Sequence, residues 1–422
     1  MEGGCVGNLP KIVALLFRLL PLIIFDPIYL MLLIALCFMV YSQYRRVYVM
    51  QQRLFGLKRG VPWKETAVSF GYGLLGGFVA SVIFVMLGIS LSSAGIVFVW
   101  LTALLLMLFS PRFMCFAYAG GIVSLVHLIF GVPNIHIPSI MGLVAVLHLV
   151  EAMLIFLDGH HNPMPIYIRD SQGKVVGGFS LQRFWPLPFI AVMAVVELSS
   201  ALESGIAMPE WWPLLKPELV VPAGLALVFR LSPVFAGLGY SDIAISSLPE
   251  AKAANTAWNL FLYSLALLGL TLLADRYPQL ELIPVLFAPL GHELVIRFGQ
   301  WREKKRASVF TYTSGVMVLD IYPNSPAAKM GLSTGDVIMQ VNDINITNPQ
   351  QLITEIGPWV IDPVLTVQNV IAKSPPRQIK FKGKIPPLGF IPVPHPNQPV
   401  YMVMREGWLQ RVFKQWWRNL KR

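Results

Sequence analysis

Charge is scarce in this chain. Asp, Glu, Lys and Arg make up only 13% of its 422 residues, while 55% are apolar. A soluble globular chain carries about 25% charged residues, so the balance here belongs to a membrane protein. Cysteine is nearly absent as well. Cys5, Cys37 and Cys115 stand far apart, which gives neither a disulfide framework nor a metal-ligand spacing. Free, buried thiols are the expectation. A cleavable leader is not evident. The first apolar stretch, 12–25, contains Arg18 and Pro21 and lacks a small-residue cleavage site. No Ser/His/Asp arrangement and no phosphate-binding glycine loop occurs. The chain is therefore expected to be no enzyme, with no cofactor, no metal and no nucleic-acid partner.

What is present is a series of apolar segments, near 12–25, 28–43, 67–88, 94–109, 113–131, 139–157, 186–206, 218–237, 257–274 and 280–296. A spanning helix needs about 20 apolar residues, somewhat fewer with flanking anchors. The first two segments are short and joined by Asp26-Pro27, so the expected number of helices is about eight to ten. Basic residues cluster in alternate connections. Arg45, Arg46, Arg53, Lys58, Arg59 and Lys64 lie in one, Arg169, Lys174 and Arg183 in the next, and Arg297, Arg302, Lys304, Lys305 and Arg306 follow the last segment. By the positive-inside rule these connections and both termini face the cytoplasm.

Arg18, Glu151, Glu197 and Glu203 fall inside apolar segments, where charge is costly. His148 and Glu151, at i and i+3, share a helix face. An ion path and interhelical pairing both account for them. No inverted repeat or dense polar stripe supports a transporter.

Two fragments resemble those of site-2 type intramembrane metalloproteases, Gly291-His292-Glu293-Leu294-Val295-Ile296 and Leu157-Asp158-Gly159. Zinc hydrolysis on a helix needs histidines at i and i+4. Ile296 occupies the second position, and Asp158 precedes His292, the reverse of the protease order. His160 and His161 beside Asp158 read as part of a solvated turn with Asn162-Pro163. Between 158 and 185, Asp170-Ser171-Gln172-Gly173 separates two short β-prone runs and predicts a hairpin. Phe184-Trp185-Pro186 reads as an interfacial aromatic belt.

After Arg297 the sequence changes character. Val316–Tyr322 reads as a strand, Ser325-Pro326 starts a short helix stopped by Gly331, and Gly335-Asp336 turns into the strand 337–341. Asn348-Pro349 opens a helix through about Ile356, and strands follow over 364–371 and 378–382. This order resembles a bacterial, circularly permuted PDZ domain. Such domains bind an extended peptide as an added strand beside a helix. Leu388-Gly389-Phe390-Ile391 has the apolar–Gly–apolar pattern of a carboxylate-binding loop. The candidate groove is therefore Leu388, Gly389, Phe390 and Ile391, with Leu352 and Ile353 from the facing helix. The other reading of 388–393 is the last strand of a closed, structural domain.

In the last segment Trp408, Leu409, Val412, Phe413, Trp416 and Leu420 recur at helical spacing, opposite Arg411, Lys414, Arg418 and Lys421. A basic amphipathic helix with Trp on its apolar side suits an anionic membrane surface. Packing on the PDZ domain or on a partner is the alternative. The candidate lipid contacts are Trp408, Phe413, Trp416, Arg411, Lys414 and Arg418.

The expected fold is thus a polytopic α-helical membrane domain over 1–296, a small α/β, circularly permuted PDZ-like domain over 307–396 and an amphipathic helix over 405–422. Gly177-Gly178-Phe179, Phe184-Trp185-Pro186, Gly291-His292-Glu293, the strand Gly315-Val316-Met317-Val318-Leu319 and Leu388-Gly389-Phe390-Ile391 complete a layout that resembles the MinJ family. These are topological adaptors of the Min cell-division system in Gram-positive, Bacillus-type bacteria. The resemblance implies a non-enzymatic scaffold in the bacterial cytoplasmic membrane, at septum or poles, that links a DivIVA-like coiled-coil protein to a MinD-like ATPase. Two other functions fit the composition. One is a degenerate site-2-protease-like protein presenting substrates to a protease. The other is a transporter-like domain regulated by a PDZ module.

Overall fold

The structure is a computed structural model. It describes residues 14–19, 26–56, 60–92, 94–170, 172–198, 208, 211–215, 221–357, 360–383 and 388–395. The candidate amphipathic helix of 405–422, Glu203 and most of the segment 12–25 lie outside these residues.

Among the described residues, seven helices of fourteen residues or more build the apolar half: α1 (Pro27–Phe55), α2 (Pro62–Leu87), α3 (Ile96–Phe109), α4 (Phe116–Phe130), α5 (Ile137–Asp158), α6 (Pro249–Arg276) and α7 (Leu282–Lys305). Proline near the first position sets several starts, because it is preorganised there and its missing N–H has no intrahelical partner anyway. Asp26 caps α1 by accepting from Ile28 N at 2.8 Å, and Gly56 at φ 74° ends it. Helices α1, α2, α5, α6 and α7 are long and apolar enough to cross a membrane. Helix α5 is the most enclosed of them, with 72% of its apolar window buried inside the protein.

In the segments expected as spans over 186–206 and 218–237, the described residues 186–198 and 225–237 are not helical. They lie in β2 (Val175–Leu198) and β3 (Leu225–Ala244), paired antiparallel from Phe179↔Ala244 to Leu198↔Leu225. Pro186, Pro188 and Pro233 account for this, since an interior proline removes a helical hydrogen bond and clashes with the preceding turn. Length and apolarity alone do not separate a buried strand from a helix. The expected hairpin is present, with β1 (Met164–Arg169) pairing β2 from Arg169↔Val175 to Met164↔Ser180.

Beyond Ser180 the β1 side of β2 would be a bare edge in an apolar domain, where unpaired backbone groups are costly. Helix α2 covers it. Ser81 Oγ accepts from Ile190 N at 2.8 Å, and Ser90 and Ser92 Oγ both accept from Ala194 N at 3.0 Å. Gly73 and Gly77 bring α2 against the Pro186 and Pro188 carbonyls.

The C-terminal module contains β4 (Val316–Ile321), α8 (Pro326–Lys329), β5 (Asp336–Val341), β6 (Ile344–Asn345), α9 (Pro349–Glu355), β7 (Val364–Asn369), β8 (Arg377–Lys380) and β9 (Phe390–Pro392). Its sheet runs β8-β7-β5-β4-β9, with β6 on β5. Val316, Val318, Ile338, Val341, Leu352, Leu365 and Val367 form its core.

The module docks on the base of the β1–β2 hairpin. Gly177 N donates to Phe310 O at 2.9 Å and Val309 N to Ile245 O at 2.9 Å. Phe179 meets Phe310 edge-on at 5.3 Å. The end of α1 reaches the same face, where Phe55 packs on Tyr167 and Asn162 Nδ2 donates to Tyr48 Oη at 3.0 Å. The end of α1, the β1–β2 hairpin and the start of the C-terminal module therefore meet.

Candidate functional site

The candidate groove residues lie on β9, on the two residues before it and on α9. Val393 N donates to Met317 O at 2.8 Å and Tyr322 N to Gly389 O at 3.0 Å, so residues 389, 391 and 393 turn their backbone groups toward β4. By the alternation of a strand, Phe390 and Pro392 turn theirs to the open side. Pro392 has no N–H to offer, and its carbonyl already accepts from Tyr167 Oη at 2.8 Å. The open edge of β9 thus presents the N–H and C=O of Phe390. Gly389 stands at φ 76°, in the left-handed region that favours glycine. Leu388 is held by its carbonyl, which accepts from Ala327 N at 2.9 Å.

The helix contributes unevenly. Leu352 is 3% exposed and belongs to the core, where Leu388 and Phe390 pack near it. Ile353 is 73% exposed. Ile391 is buried at 2% against the shared core with the membrane half. Leu352, Leu388 and Phe390 thus belong to the core of the module, Ile391 packs into the core shared with the membrane half, and Ile353 is exposed on α9. The candidate membrane-surface residues Trp408, Arg411, Phe413, Lys414, Trp416 and Arg418 lie outside the described residues.

Asp158, singled out by its likeness to a protease fragment, has a different environment. It is fully buried and accepts from Arg183 Nε, Arg183 Nη2 and Trp185 Nε1, each at 2.7 Å. Arg183 Nη1 donates onward to Glu65 at 2.8 Å. His161 Nδ1 lies 3.2 Å from Asp158. Trp185 is 0% exposed, so it is a buried anchor rather than part of an interfacial belt. Glu197 pairs with Arg230 across β2 and β3 at 2.7 Å.

One cluster has no counterpart in the sequence reading. Cys115, His148 and His292 bring their donor atoms within 4.8 Å of one another. They come from the start of α4, from α5 and from α7. The hints in the sequence were titratable side chains inside apolar segments and the likeness of Gly291-His292-Glu293 to a zinc-protease fragment, but nothing in the spacing of the three residues pairs them. Glu293 is occupied nearby. It accepts from Tyr118 Oη at 2.8 Å and Arg297 Nε at 2.6 Å, and pairs with Arg112.

Residues 317–356 match the family model of the PDZ domain. Over 214 residues the chain is 28% identical to the cell division topological determinant MinJ of Bacillus subtilis (strain 168). The chain is thus similar to MinJ over half of its length. The match covers 50% of this chain and 50% of the relative, so the chain spans half the length of the curated protein it resembles. No solved structure matches it.

Proposed function

We propose that this chain is a membrane-embedded PDZ scaffold that localises partner proteins in Min-type cell-division site selection. The observation that carries this reading is the coincidence, in one chain, of a PDZ domain with identity to a cell division topological determinant. The helical domain anchors the module at the bacterial cytoplasmic membrane, and the face carrying the module is its cytoplasmic side. A partner segment adds to β9 at Phe390, beside Ile353, by strand addition. The partners implied are a DivIVA-like protein at septum or poles and a MinD-like ATPase. The amphipathic stretch 405–422 holds the tail close to the lipid surface. The scaffold performs no chemistry of its own.

The reading is tested with the full chain, fluorescently tagged, in B. subtilis cells lacking their own MinJ. Septal or polar enrichment and co-capture of division proteins are expected, with capture lost on removal of 307–396. Even membrane distribution without division proteins would overturn it, and capture dominated by proteases would favour the degenerate-protease reading. The orientation has a separate check. A cysteine at Asn345→Cys, with the native cysteines replaced, should resist a membrane-impermeant thiol reagent until cells are lysed.

A further inference from the structure

The Cys115–His148–His292 cluster is arranged as metal ligands are, and the hydrogen bonds around it set the protonation of both imidazoles. His148 Nδ1 is 2.7 Å from the Val144 carbonyl oxygen. A carbonyl only accepts, so Nδ1 carries the proton and Nε2 keeps its lone pair. That Nε2 is 3.1 Å from Cys115 Sγ. His292 follows the same logic. Tyr118 donates its hydroxyl proton to Glu293 at 2.8 Å, leaving its oxygen to accept from His292 Nδ1 at 3.4 Å. His292 Nε2 then faces Cys115 Sγ at 3.8 Å. Fixing a ligand histidine by an Nδ1–H bond to a carbonyl, or through a chain to a carboxylate, is the usual outer shell of a metal site.

The spacing also suits an ion. Zinc holds sulfur at about 2.3 Å and imidazole nitrogen at about 2.0 Å, which at tetrahedral angles puts S and N about 3.5 Å apart. The two S–N separations, 3.1 and 3.8 Å, bracket that value. Tyr263 packs against both imidazole rings, at 5.6 and 5.9 Å, and its hydroxyl is tied to Ala288 O. A cleft lined by Arg112, Glu293, Arg297, Gln300, Trp301 and Lys304 opens from the surface beside Glu293.

We propose that Cys115 Sγ, His148 Nε2 and His292 Nε2 bind a zinc-class divalent metal ion that clasps α4, α5 and α7 together. One thiolate and two neutral imidazoles select a borderline-soft ion over calcium or magnesium. Binding releases the Cys115 proton to solvent. Glu293 is engaged by two arginines and a tyrosine and is not poised as a base, so the ion is structural. The inference is independent of the PDZ reading.

The test uses the full-length chain purified in detergent without chelator, then stripped and reloaded with Zn²⁺ or Co²⁺. About one metal per chain is expected, with a thiolate-to-cobalt charge-transfer band and protection of Cys115 from alkylation, Cys37 serving as the control. His148→Gln and His292→Gln should each weaken binding at least tenfold. Cys115→Ser should lose the charge-transfer band, and Cys115→His should recover metal binding without it. Zn²⁺ should raise the melting temperature of the stripped wild-type protein and leave that of His148→Gln/His292→Gln unchanged. No metal uptake by folded wild-type protein, or uptake undiminished in Cys115→Ser/His148→Gln, would overturn the proposal.

Discussion

The hydroxyl of Tyr167 donates to the carbonyl of Pro392 at 2.8 Å, joining a strand of the membrane half to the free edge of the PDZ sheet. Burial raises the Tyr167 phenol above its ordinary range, so it remains a donor throughout the physiological range. The bond occupies one of the few acceptors that a peptide adding to β9 would use. Tyr167→Phe keeps the ring against Phe55 and removes only the donor. The expected loss is about 1 kcal/mol of docking. Amide hydrogen exchange over 388–393 should quicken about fivefold, and unchanged exchange would mean that the docking does not depend on this bond.

The groove is best probed at Ile353. A charge there disturbs nothing that holds the domain, since the side chain is 73% exposed. Ile353→Asp should leave stability within about 0.5 kcal/mol and reduce capture of division proteins. Leu352→Ala should instead cost about 2–5 kcal/mol, because it empties a core position. Gly389→Val is the less clean probe, as a β-branched residue at φ 76° is strained whatever it does to a ligand. If Ile353→Asp at normal abundance captures partners as the parent does, the partner surface lies elsewhere.

The PDZ module was legible because each of its elements carries its own punctuation. Asn348-Pro349 opens α9, where Asn348 accepts from Gln351 N at 2.8 Å. Gly335 at φ 88° turns into β5. The helices α1, α2 and α5–α7 were legible from length and apolarity. The hairpin β2–β3 was misread for the same reason, although Pro186 and Pro188 contained the objection. The histidine–cysteine cluster was illegible. Its members are 33 and 177 residues from Cys115, and no local pattern records a contact made by packing three helices.

Asp158 anchors the junction between α5 and the hairpin. Removing its carboxylate would leave Arg183, only 1% exposed, without two charge-assisted bonds, and Trp185 Nε1 without an acceptor. Arg183 keeps its pair with Glu65 at 2.8 Å, so the cost stays below the roughly 3–5 kcal/mol of a buried charge left with no partner. Asp158→Ala should therefore lower the melting temperature and the abundance, with Asp158→Asn intermediate because an amide oxygen still serves Trp185. Replacing the whole pair, Asp158→Leu with Arg183→Met, should recover part of the loss. Unaltered melting of Asp158→Ala would show that the cluster contributes little.

The closest backbone approach in the membrane half gives the sharpest test of the hairpin. A Cβ at Gly77 would lie 1.8 Å from the Pro188 carbonyl oxygen, and one at Gly73 would lie 1.9 Å from that of Pro186. Both obstacles are backbone atoms of a paired strand, so no rotamer change relieves them. The bare helix surface also brings Ser81 to Ile190 N, one of the bonds that satisfies the β2 edge. Even alanine should therefore push α2 off β2 and expose polar backbone to an apolar surrounding, which costs several kcal/mol per group. Gly71, two residues earlier on the same helix, has nothing within 4 Å of its Cβ position. Gly71→Ala should be neutral or stabilising by up to about 1 kcal/mol, from helix propensity alone. Size-exclusion profiles of the detergent-extracted variants compare the three directly. Gly73→Ala and Gly77→Ala should lose the monodisperse peak while Gly71→Ala keeps it. A well-folded Gly77→Ala with parental melting would mean that β2 does not lie against α2.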